Sequence, residues 1–273
     1  MSPFELAQPK SLSEAFSLLG GEGVRPLSGG TALMLMMKAG VLRPARLVSL
    51  RKLNLETIET NGELRIGAMT TLGALERSAA VKKGWPVLTR MLRTLSNVRV
   101  RNVATIGGAL AHADPHMDLP PVLAALGTKV TIAGPGGERR VAVEELYAGY
   151  LENTLKPNEL ITRIEVPAMG RRKAAYLKCT TRSADDWPAV GVAAVLDGDD
   201  VRIVLSAATD RPTRLVQAEK ILRAKPDALK QAGEAAAEEV KIEGDIHGSA
   251  AYKKQLIRVY VARTVHEARN AGH

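Results

Sequence analysis

The sequence predicts an α+β fold in two domains, and three observations carry that reading. The N-terminal stretch reads as strand, helix and strand around the doublet Gly29-Gly30. Asn61-Gly62 sits inside an alternating run, a strong hairpin signal. The C-terminal stretch reads as three strands followed by three amphipathic helices.

Each element has its own signal. Ser11-Leu12-Ser13-Glu14 is a capping-box pattern, and Gly20-Gly21 stops the short helix that follows it. Val24 to Ser28 is a strand, Thr31 to Lys38 a compact apolar helix ended by Gly40, and Arg46 to Leu50 a second strand. Thr57 to Ala68 is the hairpin. Thr71 to Ala79 and Pro86 to Leu95 are helices, and the run before the second doublet, Gly107-Gly108, reads as a strand. Asp118 to Leu126 is a helix with prolines in its first turn, where they are tolerated. Lys129 to Ala133 and Arg139 to Val143 form a hairpin around Pro135-Gly136-Gly137, and Leu160 to Val166 is a strand stopped by Pro167. The charged stretch Gly170-Arg171-Arg172-Lys173 is the boundary candidate. Beyond it, Ala174 to Thr180, Ala189 to Leu196 and Val201 to Ala207 predict a three-stranded antiparallel sheet, with a tight turn at Asp197-Gly198-Asp199. Arg214 to Arg223, Pro226 to Val240 and Ala250 to Ala268 are the helices on it. The expected domains are therefore 1–169, with lobes of about 1–55 and 56–169, and 174–273.

Bulk properties exclude several classes. At 273 residues, 45% apolar and 25% charged, the chain has the composition of a globular protein with room for two cores. Its single cysteine, Cys179, excludes an internal disulfide framework and an iron–sulfur cluster held by its own thiolates alone. That usage fits a reducing cytoplasm, the expected location. Met1-Ser2-Pro3-Phe4-Glu5 shows no signal-peptide pattern, and no apolar run reaches the roughly 18 residues of a membrane span. The net charge of +9 invites a nucleic-acid reading, but the basic residues are scattered and aromatics are only 3%. A solvated surface that meets an acidic partner protein is the better account.

The candidate chemistry lies in the two glycine doublets, Leu27-Ser28-Gly29-Gly30-Thr31 and Ala104-Thr105-Ile106-Gly107-Gly108-Ala109. Consecutive N–H groups in such turns form a concavity suited to an anion, and two of them could grip a diphosphate such as that of FAD from both sides. Taken singly, each is equally a tight β-to-α turn, and neither has the spacing of a Rossmann loop. His112-Ala-Asp114-Pro-His116-Met-Asp118 offers metal-ligand types at alternate positions. Pro115 breaks strand regularity there, so Asp118 is read as a helix N-cap or an acceptor for ligand hydroxyls, and no metal is expected. Trp187, in a loop after Asp185-Asp186, could cover a flat ligand. Neither a nucleophile elbow nor a Walker lysine is present, so hydrolase and phosphoryl-transfer readings lack support.

These residues resemble a known family. Arg25-Pro26-Leu27-Ser28-Gly29-Gly30-Thr31-Ala32-Leu33, Ala104 through Pro115, and Asp118-Leu119-Pro120 look like the FAD-binding subunits of molybdenum hydroxylases, of the carbon monoxide dehydrogenase medium-subunit and xanthine dehydrogenase kind. Ile66 to Thr71, Glu159-Leu160-Ile161, Ile164 to Pro167, Tyr176-x-Lys178-x-x-x-Arg182 and Gly248 to Lys253 extend the resemblance over essentially the whole chain. It implies a p-cresol-methylhydroxylase-type FAD domain of two α+β lobes and a C-terminal flavoprotein domain. It implies that Pro26, Leu27, Ser28, Gly29, Gly30 and Thr31 run along the FAD diphosphate, as do Thr105, Gly107, Gly108 and Ala109. Asp118 would meet the ribose–adenine half, Ile161 the adenine through its backbone, and Lys178 the isoalloxazine side. Trp187 falls where relatives place a tyrosine near the flavin. Ala104, His112 and Asp114 belong to the same cofactor-binding set. The chain departs from the family at Ala109, where Asn or Asp is frequent; the missing hydrogen bond is worth about 0.5–1.5 kcal/mol. The resemblance further implies no catalytic residue on this chain, a molybdopterin-containing large partner, a [2Fe–2S] small partner and an external electron acceptor. A stand-alone FAD oxidase of the same fold and a non-enzymatic basic interaction module are the competing readings.

Overall fold

The computed structural model describes residues 2–271. Three hydrophobic cores organise it, and the largest is shared between the five-stranded sheet and one face of the C-terminal sheet.

The first sheet is parallel and has three strands. Arg46–Ser49 runs in the middle, flanked by Glu5–Ala7 and Val24–Leu27. The strand–helix–strand reading is present as Val24–Leu27, Leu33–Lys38 and Arg46–Ser49; the short edge strand Glu5–Ala7 carries no sequence signal and was not expected. The helix Leu12–Leu19 starts as a cap should, with the Ser11 hydroxyl accepting from Glu14 N at 3.2 Å. Glu14 turns one residue further back than a capping box requires, accepting from Lys10 N at 2.8 Å. Ala15 and Leu19 from this helix join Val48, Leu50, Met69 and Leu160 in the core that joins the two lobes.

The second sheet is antiparallel, in the order Ile58–Asn61, Glu63–Gly67, Leu160–Val166, Lys129–Gly134 and Gly137–Ala142. Leu160–Val166 is central and buried at six of its seven positions, as a strand covered on both faces must be. Its register slips between Ile161 and Arg163, leaving Thr162 as a bulge. The expected helix from Thr71 to Ala79 is two: Leu72–Arg77 and Ala79–Gly84 break at Ser78, whose hydroxyl caps the second at Val81 N. The run before the second doublet is a helical turn, Val98–Arg101, and not the strand that its alternating valines suggested. Asn97 caps it through Val100 N at 3.1 Å, and the Arg101 side chain bonds Glu76 at 2.8 Å and the Leu95 carbonyl. Those tertiary bonds override the period-two pattern.

The third sheet has four antiparallel strands, Lys173–Cys179, Val190–Asp197, Asp200–Ser206 and the two-residue Thr213–Arg214, one more than expected. Alternate residues of Val190–Asp197 face opposite ways. Val192 and Ala194 pack with Ile257, Val261 and Val265 of the long helix Ala250–Asn270, whereas Ala193 and Val195 join the core that holds Leu119–Ala125. The C-terminal sheet is thus clamped between its own helices and the N-terminal part of the chain. Among the described residues, no helix is long and apolar enough to cross a membrane.

Candidate functional site: a cleft at the meeting of two glycine segments

The expected site residues converge on a cleft of about 580 Å³, within the range of small-molecule and cofactor sites. Its walls come from the first lobe, the second lobe and the loop that carries Trp187.

The strand Val24–Leu27 delivers the first glycine segment to the cleft floor. Gly30 has φ +70°, the left-handed conformation that costs an L side chain strain. Gly29 lies flat on the second segment: a Cβ there would collide with the Val103 carbonyl oxygen. Among the described residues, the backbone N–H groups of Gly29, Gly30, Thr31 and Ala32 have no acceptor. All four residues line the cleft, and unpaired backbone donors of this kind suit an anion.

The second segment is built differently. Gly107 and Gly108 lie inside the helix Ile106–His112, capped by Thr105, whose Oγ1 accepts from Gly108 N at 3.2 Å. Ile106 N donates to the Thr70 carbonyl and Gly107 N to the Ala68 carbonyl, at 3.0 and 2.8 Å. The expectation of two matching N–H cradles is therefore corrected: the second segment spends its donors inside the protein. Its glycines serve close packing. A Cβ on Gly107 would come within 2.6 Å of Ala68 Cβ, and one on Gly108 would collide with Ser28 Oγ. The two glycine segments interlock, and the cleft floor is their seam.

Most of the expected site residues line the cleft: Pro26, Ser28, Gly29, Gly30, Thr31, Ala104, Thr105, Gly107, Gly108, Ala109, His112, Asp118, Ile161 and Trp187. Leu27, Asp114 and Lys178 do not. Leu27 closes the first sheet's edge strand, and Asp114 accepts from the backbone N–H of His116 at 2.9 Å. Lys178 stands behind Asp118, donating to its Oδ2 at 2.7 Å and to the carbonyls of Thr94 and Asp186. Tyr176, two residues earlier on the same strand face, donates its hydroxyl to Asp118 Oδ1 at 2.6 Å. Burial pushes the Asp118 carboxyl up from the usual carboxylate value; the Lys178 charge and both hydrogen bonds oppose it. Asp118 stands at the N-cap position of the helix Leu119–Ala125, as the sequence suggested, but its side chain makes no cap hydrogen bond and is turned to Lys178 and Tyr176 instead. Because Asp118 and Lys178 touch, they sit at one point of the cleft wall. They cannot serve opposite ends of a dinucleotide, as the resemblance implied. The ligand types between His112 and Asp118 are likewise spent on other partners: Asp114 on His116, and Asp118 on Lys178 and Tyr176.

Sequence reasoning missed His116 as a wall residue. It missed the C-terminal groups that reach it, and also Leu35, Met36, Leu95 and Ser96 on the walls. The spacing of Tyr176 and Lys178 was a usable signal, since alternate strand positions share a face; the others had none.

Comparison with known proteins decides the family. The family described as FAD binding domain in molybdopterin dehydrogenase matches residues 2–169, and that described as CO dehydrogenase flavoprotein C-terminal domain matches residues 175–268. The chain belongs to the FAD-binding medium subunits of the molybdenum hydroxylases. It is 31% identical to the glyceraldehyde dehydrogenase medium chain of Sulfolobus acidocaldarius, over 97% of this chain and 98% of that one. It is 30% identical to the nicotine 6-hydroxylase medium subunit of Paenarthrobacter nicotinovorans, over 96% of each. Its fold matches carbon monoxide dehydrogenase from Hydrogenophaga pseudoflava with a TM-score of 0.93, at 32% identity and 99% coverage of both chains. The medium subunit described here is accordingly an FAD-binding oxidoreductase component, with the α+β architecture that the sequence predicted.

Proposed function

We propose that this medium subunit is the electron-transfer station of a molybdenum hydroxylase. It would take electrons from the [2Fe–2S] clusters of a small partner, while a molybdopterin-containing large partner oxidises the substrate, and pass them to an external acceptor. FAD supplies the chemistry when bound, because it accepts electrons singly or in pairs. The observation that carries this reading is the row of unused N–H donors at Gly29 to Ala32 on the floor of a cleft of fitting size. They suit a diphosphate and have no acceptor among the described residues.

The chain's own residues divide the work. Pro26 and Ser28 to Thr31 would hold the diphosphate, and Thr105 and Gly107 to Ala109 line the cleft floor beside them. Ile161 bounds the adenine end from the bulged strand. Asp118 presents a carboxylate held by Tyr176 and Lys178, so Lys178 acts through Asp118 and not on the ligand. Trp187, 44% exposed and on the cleft wall, would cover the flavin ring. Residues 1–169 form the FAD-binding domain, with lobes of about 1–55 and 56–169, and 174–273 form the flavoprotein domain. The free Cys179 suits a cytoplasmic location.

The test is the visible spectrum of the chain purified with co-expressed partners. Flavin bands together with iron–sulfur absorbance are expected; a colourless complex overturns the reading. In the same preparation, Trp187→Ala is expected to change flavin fluorescence and the rate of reoxidation by the acceptor several-fold while leaving the flavin-to-protein ratio unchanged. Lost flavin with unchanged fluorescence of the remainder would instead make Trp187 a packing residue.

A further inference from the structure

His116 sits on the cleft wall between two carboxylates. Its Nδ1 is 3.0 Å from Asp114 Oδ1 and its Nε2 is 2.7 Å from Asp245 Oδ2. Both partners are acceptors. A neutral imidazole carries one N–H and could satisfy only one of them, leaving a ring lone pair against the other carboxylate. Only the imidazolium donates at both ends. The two carboxylates lie on different parts of the chain: Asp114 beside the second glycine segment, and Asp245 in the turn before the last helix.

Asp245 is itself anchored. Its Oδ2 accepts from Lys253 Nζ at 2.6 Å, and Lys253, buried in the last helix, also donates to the Ala207 carbonyl at 2.6 Å. Ala207 N in turn donates to the Pro115 carbonyl at 2.9 Å, immediately before His116. The chain of bonds closes on itself across the junction of the FAD-binding part and the C-terminal domain. The indole of Trp187 packs edge-on against the His116 ring, with centroids 6.0 Å apart and planes at 78°.

We propose that His116 is a positioning residue: as an imidazolium it clasps the Asp245 turn to the cleft wall and so fixes Trp187 beside the cleft. The groups that face it are Asp114 from its own segment, on which His112 also acts, and Asp245 and His247 from the turn. Lys253 stands behind Asp245, and Asp186 in the Trp187 loop faces His247. Burial works against the charged ring, but the hydrogen bonds and charges of Asp114 and Asp245 outweigh it and raise the His116 value above the ordinary one. Burial likewise opposes the Asp245 carboxylate, yet Lys253 and His116 pull it down to about 2. The folded protein therefore holds the His116 proton more tightly than the unfolded chain does. The clasp's contribution is complete below about pH 6.5, the unfolded value, and is lost as pH rises through the folded one. The consequence for a bound flavin rests on the assignment of the cleft to FAD; the clasp itself is readable in the flavin-free chain.

The experiment is a pH titration of tryptophan emission, from about pH 5 to 9, across the range where a perturbed histidine titrates. It uses the full chain with FAD bound and again after the flavin is stripped. The chain has two tryptophans, and Trp85 is buried with its Nε1–H on the Pro167 carbonyl, so Trp187 is the reporter. A protonated imidazole quenches an adjacent indole. Emission and acrylamide quenching are expected to rise together in one transition above the ordinary histidine value. His116→Asn and Trp187→Phe should each remove that transition, and His247→Asn should leave it. Asp245→Asn should move the midpoint down by about one pH unit, the effect of removing a neighbouring carboxylate. A flat wild-type profile, a transition that persists in His116→Asn, or an unmoved midpoint in Asp245→Asn overturns the proposal. Asp245→Asn keeps the test decisive should His116→Asn fail to fold. The transition in flavin-free protein, set beside a separate measure of flavin binding, distinguishes failure of the clasp from failure of the FAD assignment.

Discussion

Gly30→Val is expected to abolish flavin retention in a chain that still folds. At φ +70° a β-branched side chain adds roughly 1–3 kcal/mol of backbone strain. The relaxation that relieves it turns the free N–H groups of Gly30 and Thr31 away from the diphosphate. Gly108→Val should have the same outcome by another route. Its Cβ would displace Ser28 Oγ and the capping Thr105 Oγ1, side-chain atoms that can rotate away; losing the cap weakens the helix by about 1 kcal/mol without unfolding it, while the floor of the cleft rises. Gly29→Ala is the contrasting control. Its Cβ meets the Val103 carbonyl, a backbone atom, so the expected loss is of thermal stability first and of flavin as a result. The measurements are the flavin-to-protein absorbance ratio and the melting temperature of the flavin-free chain. Full flavin occupancy in both Gly30→Val and Gly108→Val would remove the diphosphate assignment.

Lys178→Ala carries the second large effect. The Lys178 and Asp118 side chains are only 8% and 5% exposed, so truncation strands a buried carboxylate whose remaining donor is Tyr176. Breaking such a pair costs about 3–5 kcal/mol. For a protein somewhat beyond the size on which that scale rests, each kcal/mol lowers the melting temperature by about 2–4 °C. The lost ammonium also frees the Asp186 carbonyl and with it the loop that carries Trp187. The double variant Lys178→Met with Asp118→Asn removes both charges and should recover most of the stability, but not flavin affinity. If the double variant is no more stable than Lys178→Ala, the pair is not what holds this wall.

The sheets were legible because their strands announce themselves. Alternation around Asn61-Gly62 and Asp197-Gly198, and the apolar run before Pro167, each specify a strand within a residue or two of its observed ends. Val98–Arg101 was not legible. Val-Arg-Val-Arg has a strand's period, and what makes it helical is an Asn97 cap joined to a buried Arg101 held by Glu76. The cleft divides in the same way. Its glycines and Asp118 lie in short local patterns that sequence displays, whereas His116 acquires its role from Asp245, 129 residues away. No local rule pairs residues at such a distance; only the docking of the C-terminal domain does.

The contact between Gly29 and the Val103 carbonyl bears on how such chains diverge. The requirement for a bare Cα at Gly29 comes from the protein's own backbone. A descendant that had lost its cofactor would still be under selection to keep that glycine, because the lobes could not dock without it. Gly107, pressed against Ala68, falls under the same constraint. Retention of these two positions therefore records a shared architecture. Gly30, whose conformation sets the direction of the free donors, is where relaxed selection would first leave its mark.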